Sequence, residues 1–182
     1  MVAKSLLLQP IFEPSMNISI IVAMAENRAI GKNNDLPWRI RDDMKLFRKT
    51  TLNHVVLMGR KSMESMGNKP LKNRTNLVVT RSNHYNPSGV IVCKSFDSAM
   101  KLAKDLGEEE LFILGGGEVY AQLVDQCSKL YISHVKTEII DADVFFPEVD
   151  WRQWREISRE SYPQSEGNEF AFDFTIYERK QA

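Results

Sequence analysis

Three of the nine glycines, Gly115-Gly116-Gly117, stand between the apolar run Leu111 to Leu114 and a helix-like stretch opening at Glu118. Residues without a Cβ let backbone close on a ligand, and the start of a helix presents N–H groups to an anion. A pyrophosphate suits such a turn. The run lacks the G-x-G-x-x-G order of a Rossmann fingerprint, however, and a plain tight strand-to-helix turn reads the same way. A second apolar run ends in Met58-Gly59-Arg60-Lys61-Ser62, adding two cations and a hydroxyl at another strand-to-helix junction. Alone, an Arg-Lys pair reads as a solvated surface pair. Two such junctions in one chain favour phosphate, because dinucleotide phosphates bind at the carboxyl ends of sheet strands. Thr80-Arg81-Ser82, after a third run, offers a cation and hydroxyls suited to a 2′-phosphate.

The candidate acid–base group is Asp43. Met44, Phe47 and Thr50 or Thr51 follow it at helical spacing, so its carboxylate shares a face with apolar side chains and is partly desolvated. By residue type alone, Asp42 and Asp43 together read first as acidic residues capping a helix N-terminus. Trp38, after Pro37, is either an anchored turn or an aromatic over a ligand, whereas Trp151 and Trp154 read as sheet packing. His54, His84 and His134 have no metal-ligand spacing with the cysteines, so no metal site is expected.

The elements that must position these groups follow from periodicity. Ile18 to Met24 is apolar and β-branched, as in a strand buried on both faces, and similar runs occur at His54 to Met58, Asn76 to Thr80, Val90 to Cys93, Leu111 to Leu114 and Leu130 to Val135. Helices are expected at Asp42 to Thr51, Lys61 to Met66, Ser95 to Leu106 and Glu118 to Gln126. Ser95, Asp97 and Ser98 supply capping chemistry for the third, and Gly107 its stop. The alternation predicts an α/β fold with a mostly parallel central sheet and flanking helices. Trp151 to Glu160 and Phe170 to Arg179, around the turn Gln164 to Asn168, predict an antiparallel C-terminal hairpin, with Phe170, Phe172, Phe174 and Ile176 on one core-packed face.

Composition bounds the rest. The 182 residues suffice for one full core, and with no repeat, low-complexity tract or linker, residues 16–182 are expected to form a single domain. Residues 1–15, whose only apolar run is Leu6 to Leu8, read as an N-terminal tail, with Met16 a candidate second start. Lys+Arg and Asp+Glu are both 24, so neither nucleic acid nor a membrane is an expected partner and any anion site must be built locally. Cys93 and Cys127, beside apolar runs, read as buried thiols of a reducing compartment, hence a cytoplasmic protein.

Read together, Ala25-Glu-Asn-Arg-Ala-Ile-Gly31, Leu36-Pro-Trp38, Asp43 to Phe47, Met58-Gly-Arg60 and Ile113-Leu-Gly-Gly-Gly-Glu-Val-Tyr120 occur in an order that resembles bacterial dihydrofolate reductases, over Asn17 to about Lys180. The resemblance implies a dihydrofolate-reductase-like fold, NADPH as cofactor, dihydrofolate as substrate, antifolates such as trimethoprim and methotrexate as ligands, and a monomer. It implies that Asp43 is the acidic residue of the pteridine pocket, which leaves capping to Asp42 alone. Glu26 to Arg39 becomes a mobile lid, with Leu36 near the reacting rings and Trp38 supporting a water beside Asp43; Ser133 supplies a hydroxyl to Asp43. Substrate-pocket positions are Ile21, Val22, Ala23, Met44, Phe47, Met66, Leu71 and Leu114, and Arg74 pairs with the glutamate α-carboxylate. Cofactor positions are Ala23, Ile30, Gly31, Gly59, Arg60, Lys61, Ser62, Thr80, Arg81, Gly116, Gly117, Glu118, Val119 and Tyr120, with Arg60 and Arg81 for the 2′-phosphate. The chain departs from the pattern at Val144, where a Thr is familiar, and at Asn68 and Lys69, in place of an Arg-Pro pair.

Two rivals share part of this pattern. Another NADPH-dependent pterin or pyrimidine reductase, such as that of the riboflavin pathway, would lack the pair of Asp43 and Phe47. A nucleotide-binding module without catalysis would keep Gly115 to Gly117 and Arg60 but would need no carboxylate in a pterin pocket.

Overall fold

The computed structural model describes residues 16–181, so the tail expected over residues 1–15 lies outside the described residues. The first half of the chain forms β1 (Asn17–Ala25), β2 (Ala29–Gly31), α1 (Arg41–Thr51), β3 (Val55–Gly59), α2 (Arg60–Ser65), β4 (Thr75–Val79) and β5 (Ile91–Cys93). The second half forms α3 (Phe96–Asp105), β6 (Glu110–Gly115), α4 (Gly117–Leu123), β7 (Lys129–Val135), β8 (Val144–Phe145), β9 (Trp154–Tyr162) and β10 (Phe172–Arg179).

Eight strands make one sheet in the order β5-β4-β3-β6-β1-β7-β10-β9, while β2 and β8 pair separately. The six strands from β5 to β7 run parallel, as their runs of aliphatic residues require, and β10 joins β7 antiparallel with β9 at the edge. One face packs Ile20, Val22, Leu57, Leu77, Ile113 and Ile132 under Ala99 and Ala103 of α3 and Leu123 of α4. The other packs Ile21, Val56, Met58, Val78 and Phe112 against Met63 of α2, with Phe47 of α1 alongside. Each fully buried aliphatic side chain contributes about 1.5–3 kcal/mol, so the central strands hold the platform on which the site rests.

Ser95 caps α3 as expected: Ser98 N donates to Ser95 Oγ at 3.1 Å, Ser95 N donates to Ser98 Oγ at 3.2 Å, and Gly107 ends the helix at φ +77°. The expected fourth helix stops at Leu123 and tightens into a 3-10 turn over Val124–Gln126. Likewise the hairpin strand begins at Trp154, because Asp150 caps a 3-10 turn over Trp151–Gln153. Trp154 is buried with the Arg179 guanidinium 4.3 Å from its ring, whereas Trp151 is half-exposed and packs on Tyr177 with centroids 5.1 Å apart. Phe170, Phe172, Phe174 and Ile176 share one cluster, as alternation requires, yet Thr175 and Tyr177 are buried too, since β10 is an interior strand covered on both faces. Cys93 and Cys127 are both buried and free. Among the described residues no helix is long and apolar enough to cross a membrane.

Candidate active site

Helix α1 carries Asp43 to β7, where Ser133 Oγ donates to Asp43 Oδ1 at 2.5 Å across 90 residues of sequence. Burial pushes the Asp43 carboxyl above its ordinary range, and the Ser133 hydrogen bond opposes that more weakly. Beside this face Trp38 is only 4% exposed, and its indole N–H has no partner among the described residues. An unpaired buried donor costs about 1–3 kcal/mol, so this N–H is a group the fold holds ready for a water or a ligand.

What holds α1 in place differs from expectation. Its N-cap is Ile40, which offers no side-chain bond, and Asp42 sits inside the first turn. Asp42 is an acidic residue of the helix's first turn, as expected, but not its cap: its carboxylate accepts from Asn168 Nδ2 at 2.9 Å and Lys45 Nζ at 2.8 Å, while its own N–H donates to Asn168 Oδ1 at 3.1 Å. The turn between β9 and β10 supplies the cap from 126 residues away. Nothing in local sequence pairs Asp42 with Asn168.

Ile21, Phe47, Met66, Leu71 and Leu114 come together in one apolar cluster, as a pocket wall requires, and Ala23 packs with Trp38 and Ile40 in the adjoining one. Val22 does not join them: strand alternation sends its side chain to the opposite face of the sheet, leaving only its backbone on this side. Met44 and Leu36 are about half exposed, two apolar side chains on the rim. Arg74 Nη1 donates to Thr51 Oγ1 at 3.1 Å and its Nε to the Lys72 carbonyl at 3.1 Å, so neither partner is a carboxylate. Burial, with the nearby Arg48 charge second, lowers its pKa below the usual value.

The two glycine-bearing junctions meet, because Met58 of β3 lies beside Gly115 of β6. The Gly115–Gly116 peptide is cis. A Cβ on Gly116 would stand 3.2 Å from Ser62 Oγ, one on Gly117 2.9 Å from Val144, and one on Gly59 3.1 Å from Val119. This is a cradle that side chains would fill, and it fits the close approach of a dinucleotide. Around it, Lys61, Arg81 and Glu118 are exposed, while Thr80 Oγ1 accepts from Ser82 N at 3.1 Å and fixes the turn bearing Arg81. Arg60 is anchored to Glu64 at 2.6 Å. Ile30, Val119 and Tyr120 are core residues, and the Tyr120 hydroxyl donates to Ile21 O at 3.0 Å, so the expected contacts of these three run mainly through backbone.

The segment from Glu26 to Arg39 contains β2 and is tied down at both ends. Arg28 Nη1 donates to Phe146 O at 2.7 Å, Asn33 N to Asp143 Oδ2 at 2.9 Å, and Asp143 N to Gly31 O at 3.2 Å; Arg39 N donates to Glu169 Oε2 at 2.9 Å. Asp143, Asn168 and Glu169 were not singled out by sequence reasoning. The only local signal was the Asn33-Asn34 turn, where both residues adopt positive φ.

A desolvated carboxylate next to a cradle shaped for a dinucleotide is the arrangement of an oxidoreductase that reduces a polar heterocycle. Comparison with known proteins narrows that class. Residues 17–179 match the dihydrofolate reductase family model. The chain is 40% identical over 166 residues to the dihydrofolate reductase of Haemophilus influenzae, covering 91% of this chain and 100% of that one. It is 38% identical over 164 residues to that of Staphylococcus haemolyticus, covering 90% and 96%. Its fold is similar to dihydrofolate reductase from Enterococcus faecalis complexed with NADP(H) and RAB-propyl, with TM-score 0.84 and 34% identity over 91% of this chain and 97% of that one. The chain belongs to the dihydrofolate reductase family.

Proposed function

We propose that Asp43, with Trp38, Leu36 and Ser133 around it, carries the reduction of 7,8-dihydrofolate to 5,6,7,8-tetrahydrofolate by which this family member supplies one-carbon metabolism. The observation that supports this reading is the buried Asp43 carboxyl, raised in pKa by desolvation and bonded to Ser133. Its carboxylate accepts from the 2-amino group and the N3 side of the pterin, each charge-assisted bond contributing about 1.5–3 kcal/mol. The same charge favours protonation of the ring at N5 through an ordered water, which the Trp38 indole N–H supports. Ile21, Phe47, Met66, Leu71 and Leu114 wall off bulk water, and the Glu26 to Arg39 lid, with Leu36 on its rim, completes the exclusion. Arg74 receives the glutamate α-carboxylate.

NADPH, when bound, supplies the hydride that reaches C6. Gly59, Ser62, Gly116 and Gly117 hold its pyrophosphate by close backbone approach, and Arg60, Lys61, Thr80 and Arg81 hold its phosphates. Ala23, Ile30, Gly31, Glu118, Val119 and Tyr120 complete the cofactor side. Antifolates such as trimethoprim and methotrexate pair a protonated ring with Asp43 in the substrate's place. Residues 16–182 act as one domain, the protein works as a monomer as the family resemblance implies, and it works in the cytoplasm, a reading supported by its two buried free thiols.

The test is loss of the near-ultraviolet absorbance of reduced nicotinamide with purified protein and dihydrofolate, comparing NADPH with NADH, with and without each antifolate. Turnover that prefers NADPH and is blocked by antifolate is expected. Saturable NADPH binding without turnover would overturn the substrate assignment and point to a different heterocycle.

A further inference from the structure

We propose that Asn76 is a positioning residue for the substrate's tail, holding Leu71 and Arg74 in one frame so that the pocket wall and the tail cation are set together. The inference rests on the reading of Arg74 as the acceptor of the glutamate α-carboxylate. Asn76 lies in β4 and is 3% exposed, followed by the fully buried Leu77 and Val78. Asparagine is depleted in strands, and a β-branched apolar residue would serve the sheet better at this position. Its side chain is spent elsewhere: Nδ2 donates to Leu71 O at 2.9 Å and to Arg74 O at 3.0 Å, and Oδ1 accepts from Leu71 N at 2.9 Å.

The segment so held needs an external frame. Between α2 and β4 the chain makes no ladder, and Gly67, Asn68 and Asn73 all adopt positive φ. Leu71 nevertheless packs into the pocket cluster, and Arg74 is aimed by the Thr51 hydroxyl, which itself donates to Phe47 O at 2.8 Å. Asn76 therefore fixes the backbone at Leu71 and Arg74, while Thr51 fixes the guanidinium and ties it to the opposite wall at Phe47. A planar cation pairs with a carboxylate in bidentate fashion at lower entropic cost when its direction is set in advance, which is what this frame accomplishes.

The experiment compares kcat/KM for dihydrofolate with that for a dihydropterin lacking the benzoylglutamate, in wild type, Arg74→Ala, Asn76→Ala and the double variant. Asn76→Ala is expected to penalise the tailed substrate on the order of tenfold more than the tail-less one, chiefly through KM. The double variant is expected to add little to Arg74→Ala, since both remove the same recognition. Equal penalties on the two substrates would make Asn76 merely structural and overturn the proposal. If Arg74→Ala itself treats both substrates alike, the tail reading fails and this inference with it; if only Asn76→Ala does, the inference alone fails. Should Asn76→Ala not fold, Asn76→Ser retains a hydroxyl for part of the network and is expected to give a smaller penalty with the same selectivity, equal penalties again overturning the proposal.

Discussion

Ser133 and His134 are neighbours on β7, and their side chains leave opposite faces of the sheet. On the His134 side most polar groups satisfy one another, although the Thr175 hydroxyl, on the same face of β10 as Asp173 and Tyr177, is buried without a partner among the described residues. His134 Nε2 meets the Tyr177 hydroxyl at 2.9 Å, Arg159 binds both oxygens of Glu156 at 3.0 and 2.7 Å, and Asp173 accepts from Arg159, Lys136 and Ser161. A cavity of about 170 Å³ opens there, lined by Met24, Glu26, His134, Lys136, Arg159 and Tyr177 among others. On the Ser133 side Asp43 has a single side-chain hydrogen bond and Trp38 has an unused buried donor. Open space accompanies the densely paired grouping, whereas at the candidate site an unused donor stands beside a desolvated carboxyl. The second is the feature that supports the assignment of chemistry to the Asp43 side, because a ligand binds where it completes interactions the protein has left unmade.

The strongest way to break that contrast is Asp43→Asn. Turnover of dihydrofolate is expected to fall at least about a hundredfold with NADPH binding largely retained, since the charge goes while the shape stays. The same variant should be more stable than wild type at neutral pH. A carboxyl raised above its unfolded value favours folding fully below that value, near 3.8, and loses the contribution as pH rises through the raised pKa. Removing it therefore stabilises the fold at neutral pH, a gain that disappears in acid. Denaturation at several pH values, alongside single-turnover kinetics, checks both halves; unchanged turnover would remove Asp43 from the mechanism.

The opposite face should show only stability effects. Burial first, then the Arg159 and Lys136 charges against the weaker pull of Asp173 and Glu156, depress His134 from 6.5 to about 4. A depressed histidine contributes stability that is present above about 6.5 and lost as pH falls toward 4. His134→Gln is accordingly expected to flatten the acid limb of the stability profile by on the order of 1–2 kcal/mol. An unchanged slope would show that the paired cluster does not bury a neutral imidazole. The smallest effect is expected from Ser133→Ala, which deletes the bond holding the Asp43 pKa down. The acid limb of the pH–rate profile, where Asp43 loses its charge, should move upward while the maximum changes little, and a profile that does not move would leave Ser133 as packing alone.

Much of this was legible along the chain. Aliphatic runs marked the strands of the sheet because a strand covered on both faces has no polar side to display. Glycines after such runs marked the cradle, because a side chain there collides with Ser62, Val119 or Val144. Asp43 was ambiguous by residue type, since an acidic pair in a helix's first turn reads as capping, and only the order of motifs around it pointed to the pocket. Val22 shows what the sequence leaves open: a strand buried on both sides looks alike on its two faces, so sequence does not say whether a residue meets the site by side chain or by backbone.

By itself the sequence determined the elements, the glycine turns and the cluster of cations near them, because these follow from interactions between residues a few positions apart. Tertiary structure alone decided the sheet order, the meeting of the two glycine junctions, and the partners across 90 and 126 residues that hold Asp43 and the helix carrying it. The physical reason is that a periodicity records which face of an element is buried but not what covers it. Asp43 is raised by burial, bonded by Ser133 and steadied through Asn168 only once the sheet has closed around it.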